Sequence, residues 1–286
     1  MISIALALTS ALSWGTGDFL GGLAARRYGL AWVLCGTALG GLLTGVAVSL
    51  ISGDAFPPAR EVLLAAVAGV AGLIGLACFY HALAIGTMSI VAPISATGIT
   101  IPVAWGVIQG EHLSSLAVGA IVVVIVGVML ASREHSPVAA ETSESHALSV
   151  LLALAAAVGF GLVFLLIAET ADTSVYWPSA ILKAATLAGA ALFVLGRTLS
   201  GGEIGPRPAG RHWLFPISIG FFDVSANVSF AAATTHGTLA VASVVSSLYP
   251  VTTVILAFIF LHERLATSQR IGVAMALLGV AMLAAT

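Results

Sequence analysis

The sequence predicts an all-α integral membrane protein whose ten transmembrane helices form two inverted five-helix repeats. Three observations carry that reading. Of 286 residues, 59% are hydrophobic and 8% are charged, against about a quarter charged in soluble domains. The apolar residues gather into runs long enough to cross a bilayer, about 20 residues each. A set of features in the first half of the chain then returns in the same order in the second. A mean hydropathy of +1.12 alone would also fit one very apolar soluble domain, but the grouping into runs excludes it. Inside hydrocarbon the backbone must satisfy its own hydrogen bonds, and these runs are too long and lack the alternation of barrel strands, so each is a helix.

In chain order, spans are expected at about Ile2 to Ala24, Leu30 to Ser52, Val62 to Ala84, Met88 to Ile108 and Leu116 to Ser132. The second set is expected at Leu148 to Ala168, Trp177 to Gly196, His212 to Thr234, Thr238 to Leu261 and Ile271 to Ala285. This divides the chain into a first repeat over 1–132, a linker over 133–147 rich in Ser, Glu and Ala, and a second repeat over 148–286. The first run follows Met1 directly, lacks a basic leader and continues through Asp18 to Arg26 and Arg27. It reads as a spanning helix rather than a signal peptide.

The repeat is visible in particular residues. Phe79 to Gly86 matches Phe230 to Gly237, and a proline-bearing helix follows each turn, with Pro93 and Pro102 in one and Pro250 in the other. Next come acidic turns at Gly110-Glu111-His112 and His262-Glu263-Arg264, and Glu111 to Gly127 spans the same distance as Glu263 to Gly279. Gly15 and Gly17 match Gly159 and Gly161 more faintly. An odd number of helices per half sends the second copy into the membrane in the opposite sense, with a cavity between the halves.

On these residues, together with Trp14-Gly15 in the first helix, the chain resembles the EamA family of the drug/metabolite transporter superfamily over nearly its whole length. The resemblance implies a ten-helix bundle that exports or exchanges small metabolites, amino acids or drugs through a central cavity. It fixes no substrate. Val158 in place of a second Trp and His262-Glu263 in place of Gly-Glu depart from the pattern in the second half.

Ionisable groups in hydrocarbon are costly, so each is a functional candidate. At about 1.5 Å per residue, Asp223 falls near the midplane, Lys183 about 9 Å from the face where its helix starts, and Asp18 near the opposite face. Asp223 and Lys183 then lie within reach of a lysine stem, and Asn227, one turn on, shares the face of Asp223. Such a group could bind the charged end of a substrate or take up a proton; the competing reading is a structural ion pair. Asp18 could equally reach water or Arg26 and Arg27. Trp14, Tyr80, Trp105 and Tyr249 are candidates for a cavity wall, whereas Trp32, Trp177 and Trp213 sit at span starts and fit an interfacial belt. Pro93, Pro102 and Pro250 are gate or kink candidates. The spacings Gly17/Gly21, Gly36/Gly40 and Gly41/Gly45 suit close helix packing.

A net charge of -2 with no basic patch excludes nucleic acid as a partner. Cys35 and Cys78 both lie in apolar runs, as small buried hydrophobes rather than a disulfide or metal pair. No cofactor or metal is implied, and no catalytic residue. The expected partners are the bilayer of the inner or plasma membrane and a small-molecule substrate, with a proton or counter-substrate open as the coupling partner. A lipid-linked substrate flippase or a non-transporting membrane subunit stays open as an alternative. An intramembrane aspartyl protease is suggested only by Gly15-Thr16-Gly17-Asp18, with Asp223 as partner; the two acids differ in depth by about 10 Å and run in the reverse order. Eight loop arginines, Arg26, Arg27, Arg133, Arg197, Arg207, Arg211, Arg264 and Arg270, share one side, against Arg60 alone on the side of the termini. The positive-inside rule places the termini outside, whereas the resemblance implies termini that are often cytoplasmic.

Overall fold

The computed structural model describes residues 1–85, 91, 94–131, 143–262 and 266–285. The Gly86 turn, Pro93, most of the expected linker and the Glu263 turn lie outside the described residues. The elements are α1 (Ile2–Ala25), α2 (Leu30–Ser52), α3 (Ala59–Ile85), a 3-10 turn (Thr97–Ile99), α4 (Thr100–Ile108), α5 (Ser115–Ala131), α6 (Ser143–Ala171), α7 (Trp177–Leu199), a 3-10 turn (Gly210–Trp213), α8 (Leu214–Thr235), α9 (Leu239–Ser246), α10 (Tyr249–Leu261) and α11 (Thr267–Ala284). Among the described residues there is no strand.

Among the described residues, six helical stretches are long and apolar enough to cross a membrane: Leu30–Ser52, Ala59–Ala82, Ala147–Ala171, Trp177–Leu199, Gly210–Thr235 and Leu239–Leu261. Three shorter apolar ones, Ile94–Ile108, Ser115–Ala131 and Thr267–Leu283, accompany them. The 24 residues of α1 are long enough to span, but Ser3, Thr9, Ser10, Ser13, Thr16 and Asp18 lower its hydropathy. The expected span from Thr238 to Leu261 is broken into α9 and α10, with Pro250 in the first turn of α10, where its missing N–H costs no helical bond. Pro102 likewise sits in the first turn of α4, just after a 3-10 turn.

The packing is inside-out relative to a soluble protein. Alanine dominates the buried apolar set, while Leu43, Leu50, Leu63, Ile74, Leu151, Leu192 and Phe193 face outward. Lipid solvates large apolar side chains as well as the core does, so helices associate through small residues that let backbones approach. A Cβ on Gly220 of α8 would run into the α2 backbone at Thr37, Gly40 and Gly41, and one on Gly69 of α3 would run into Leu182 of α7. Gly36, Gly40, Gly41 and Gly45 all meet a neighbouring helix, but Gly21 has open space around it, so Gly17/Gly21 is not a packing pair.

The contacts come in exchanged pairs, as an inverted repeat requires. Helix α1 packs on α8 as α6 packs on α3, α2 packs on α8 as α7 packs on α3, and α2–α7 and α5–α11 are self-paired. The side chains agree. The hydroxyl of Ser246 donates to the Ala7 carbonyl (3.3 Å), as Ser95 does to Ala153 (3.5 Å). The Trp14–Phe230 ring pair (6.1 Å) recurs as Phe160–Phe79 (6.0 Å). Gly127 meets Ala276 as Gly279 meets Val124. These pairs correct the sequence register between α1 and α6: Gly15, against α10, corresponds to Gly161, against Gly98 and Ile101, rather than to Gly159. Two glycines spaced alike in each helix concealed a shift of two residues.

Two rims close the bundle. On the side of the termini, Ser174 donates to the Asp54 carboxylate (2.9 Å) and the Trp177 indole to the Asp54 carbonyl (3.0 Å), while Ser3 donates to the Ala233 carbonyl (2.9 Å). On the basic side the Gly29 amide donates to the Pro206 carbonyl (2.8 Å), and Arg207 lies over Trp32 and Trp213 at 5.1 and 5.8 Å.

Candidate functional site

Helices α7 and α8 bring three of the sequence-predicted residues together. The Lys183 ammonium lies 2.5 Å from Asp223 Oδ2, and the Asn227 side-chain amide donates to Asp223 Oδ1 at 3.0 Å. Asn227 reaches Asp223 because it stands four residues on along α8. Lys183 is buried, and its stem runs across Gly41 of α2, where a Cβ would lie 2.9 Å from Lys183 Cγ. The glycine is therefore part of the site: any side chain there displaces the lysine. Both Asp223 oxygens are occupied, and the carboxylate is one quarter exposed.

Asp18 is placed differently. It is exposed on α1, within electrostatic range of Asp223, Tyr80 and Tyr249 from α8, α3 and α10. That combination belongs to a cleft wall rather than to a lipid-facing surface. Among the described residues Asp18 has no hydrogen-bond or ion-pair partner. Arg27 sits over the Tyr28 ring at 5.7 Å rather than on Asp18, so the snorkelling pair considered from sequence does not form there. Gly21 and Gly22, three and four residues on and so on the Asp18 face, have open space where a side chain would stand. Asp18 lies about 10 Å in from the end of α1 and Asp223 about 14 Å in from the start of α8 at the same face, so the two acids differ in depth by about 4 Å rather than the roughly 10 Å expected from the sequence, and their reversed order is what still opposes the protease reading.

The aromatic wall adjoins these charges. Trp14, one turn before Asp18, packs against Phe164, Phe230 and Tyr249 with ring centroids 4.9, 6.1 and 6.2 Å away. Tyr249 opens α10 and also lines a small cavity with Ser95, Phe160, Phe164, Ser247 and Pro250 at the two interrupted helices. Tyr80 is partly exposed beside Phe79. Trp14 and Tyr249 touch each other, Tyr80 and Tyr249 both lie within electrostatic range of Asp18, and Pro250 follows Tyr249 in the first turn of α10.

Trp105 belongs elsewhere. Its indole donates to Glu169 Oε1 at 2.7 Å on the side of the termini, and Glu169 also lies 3.6 Å from Arg60. Sequence reasoning missed this rim cluster and its most informative member, Glu111. The Glu111 carboxylate accepts the backbone amides of Leu239 and Ala240, the latter at 3.0 Å. A carboxylate from the first half therefore caps the positive N-terminal end of the half-helix α9 in the second. The signal available was the acidic residue in a turn preceding a broken span. Phe164, from α6, was also missed as part of the aromatic wall. Among the described residues no group of His, Cys, Asp and Glu could hold a metal ion.

Comparison with known proteins agrees with this architecture. The profile of the EamA-like transporter family matches residues 1–133 and again residues 147–285. No curated protein matches the chain in sequence. A solved structure titled "Crystal structure of protein" superposes with a TM-score of 0.78 at 19% identity, covering 98% of this chain and 96% of its own, which is a likeness of fold.

Proposed function

The chain belongs to the EamA-like transporter family, within the drug/metabolite transporter superfamily, and on that premise we propose that it is a ten-span secondary transporter of the inner or plasma membrane. It moves a small molecule by alternating access through the cleft between its two repeats. This reading counts the six long apolar stretches, α1 and the three shorter ones as the ten spans. Inverted repeats support alternating access because either half can adopt the other's conformation around a fixed central site.

The observation that carries the reading is the water-reachable Asp18 beside the Lys183–Asp223–Asn227 group, between helices of both halves. Ionisable side chains at that depth are expensive unless they serve a pathway. Trp14, Tyr80 and Tyr249 supply the wall, and the interrupted helices at Pro102 and Pro250 supply the hinge regions. Everted vesicles containing the protein, incubated with a pooled panel of amino acids, cationic drugs and sugar nucleotides with and without a proton gradient, test it by mass spectrometry. Protein-dependent accumulation of one compound class is expected. Its loss in Asp223→Asn would assign Asp223 to transport, and survival would leave Asp223 a structural partner of Lys183. No accumulation by folded protein would favour the flippase or subunit reading.

A further inference from the structure

The charges in the cleft do not balance, and the imbalance has a location. Two carboxylates, Asp18 and Asp223, lie within electrostatic range of each other, and one ammonium, Lys183, is paired with Asp223. Asp223 is neutralised by Lys183 and has its second oxygen occupied by Asn227. Asp18 is left with no partner among the described residues and is the one of the four groups most open to water. A carboxylate in a cleft of restricted solvent seeks a cation, and among the described residues no lysine or arginine lies within ion-pair distance of it.

We propose that the cleft takes an organic monocation: an ammonium group seats on Asp18 while the apolar body lies against Trp14, Tyr80 and Tyr249. This deepens the transporter reading above and rests on it.

The geometry selects against other charge classes. A monoanion would approach two carboxylates, and the cation it would meet among the described residues of the site is Lys183, which is buried against Gly41 and already held by Asp223. A zwitterion meets the same obstacle at its negative end, because engaging Lys183 means breaking that pair. A dication would find one free carboxylate where it needs two. A monocation completes the count at no cost to existing pairs. Trp14 shares the Asp18 face of α1 by its four-residue spacing, and Tyr249 touches Trp14, so the aromatic surface stands beside the charge. Aromatic faces attract ammonium groups as well as apolar bodies.

Three probes matched in their aromatic body and differing in charge test the proposal: 2-phenylethylamine, phenylalanine and 3-phenylpropionate. Binding to purified full-length protein in nanodiscs is followed by calorimetry, and uptake of the same compounds is followed in proteoliposomes. The amine is expected to bind at least about tenfold more tightly than either other probe, and Asp18→Asn to weaken it by about tenfold or more, as loss of a partly desolvated charge pair does. Asp18→Glu should retain most of the affinity. Asp18 has no partner to orphan, and unchanged melting of Asp18→Asn confirms that the variant is folded. The proposal is overturned if phenylalanine or 3-phenylpropionate binds as well as the amine, if Asp18→Asn leaves amine binding intact, or if no probe binds. Uptake separates the two readings: transport of the zwitterion or anion sinks the charge class and keeps the transporter, whereas amine binding without uptake keeps the site and sinks transport.

Discussion

The two halves of this chain share a skeleton and differ in chemistry. Ser95 and Ser246 make the same hydrogen bond, Gly69 and Gly220 make the same close approach, and Phe79 and Phe230 receive equivalent rings. Applying that register, Lys183, Asp223 and Asn227 fall opposite Ala38, Gly72 and Leu76 of the first half. Asp18 falls opposite Phe164, and Tyr249 opposite Gly98. The repeat therefore specifies packing, and the charged groups are additions to it at positions where the other half carries apolar or small residues. A perfectly symmetric core would place equal charges in both halves and bury twice as many ions. Breaking the symmetry gives one polar site on the internal axis at half that desolvation cost.

The largest effect should come from breaking what the halves share. Gly69→Leu and Gly220→Leu each force a side chain into the backbone of a helix from the opposite half. Overpacking of this kind costs about 3 kcal/mol or more when backbone cannot move aside. Both variants should lose most monodisperse protein on size-exclusion chromatography, and to a similar degree. Tolerance at one site with loss at the other would show that the halves are not mechanically equivalent.

Next in size is the pair that only the second half carries. Lys183→Met leaves Asp223 charged in a mostly buried setting and should cost about 2–4 kcal/mol, read as a fall in the thermal midpoint. The double variant Lys183→Met with Asp223→Leu should recover most of it, since it restores the apolar character of the matching first-half positions, while abolishing uptake. A double variant no more stable than the single one would mean that the pair organises α7 and α8 beyond its own charge balance.

Legibility in the sequence followed the same division. Helix positions, the repeat and the Lys183–Asp223 contact could be read because each rests on spacing along one helix or on hydrophobic length. The register of α1 against α6 could not, since Gly15/Gly17 and Gly159/Gly161 present the same spacing and only cross-helix contacts distinguish them. Trp105 was grouped with Trp14 on residue type, yet the depth of its helix end places it at the rim with Glu169. Asp18 stayed ambiguous because solvent access to a cleft is a property of several helices together. The capping role of Glu111 depends on an interruption between α9 and α10 that hydropathy does not register.

Glu111 offers a smaller test. Its carboxylate satisfies two amides at the start of α9, and Glu111→Gln keeps an acceptor while removing the charge that favours a helix N-terminus. A loss of about 0.5–1 kcal/mol is expected, measured by thermal melting. The same substitution at Glu263, its match by spacing, should cost a similar amount if the acidic turn belongs to the shared skeleton. A loss at Glu111 alone would move it to the class of features that one half has and the other lacks.

The smallest stability change should fall on the residue with the largest proposed role in binding. Asp18 has no partner to lose and faces Asp223, a like charge, so Asp18→Asn should shift stability by less than about 0.5 kcal/mol, in the stabilising direction. Its counterpart Phe164, packed against Trp14 and Phe230, should cost about 3 kcal/mol or more when cut to Ala. The contrast separates a functional carboxylate from a structural one: a group retained for folding would destabilise on removal. If Asp18→Asn instead melted well below the wild type, Asp18 would have to be holding α1 in place, and the free charge on which the cation site depends would not be free.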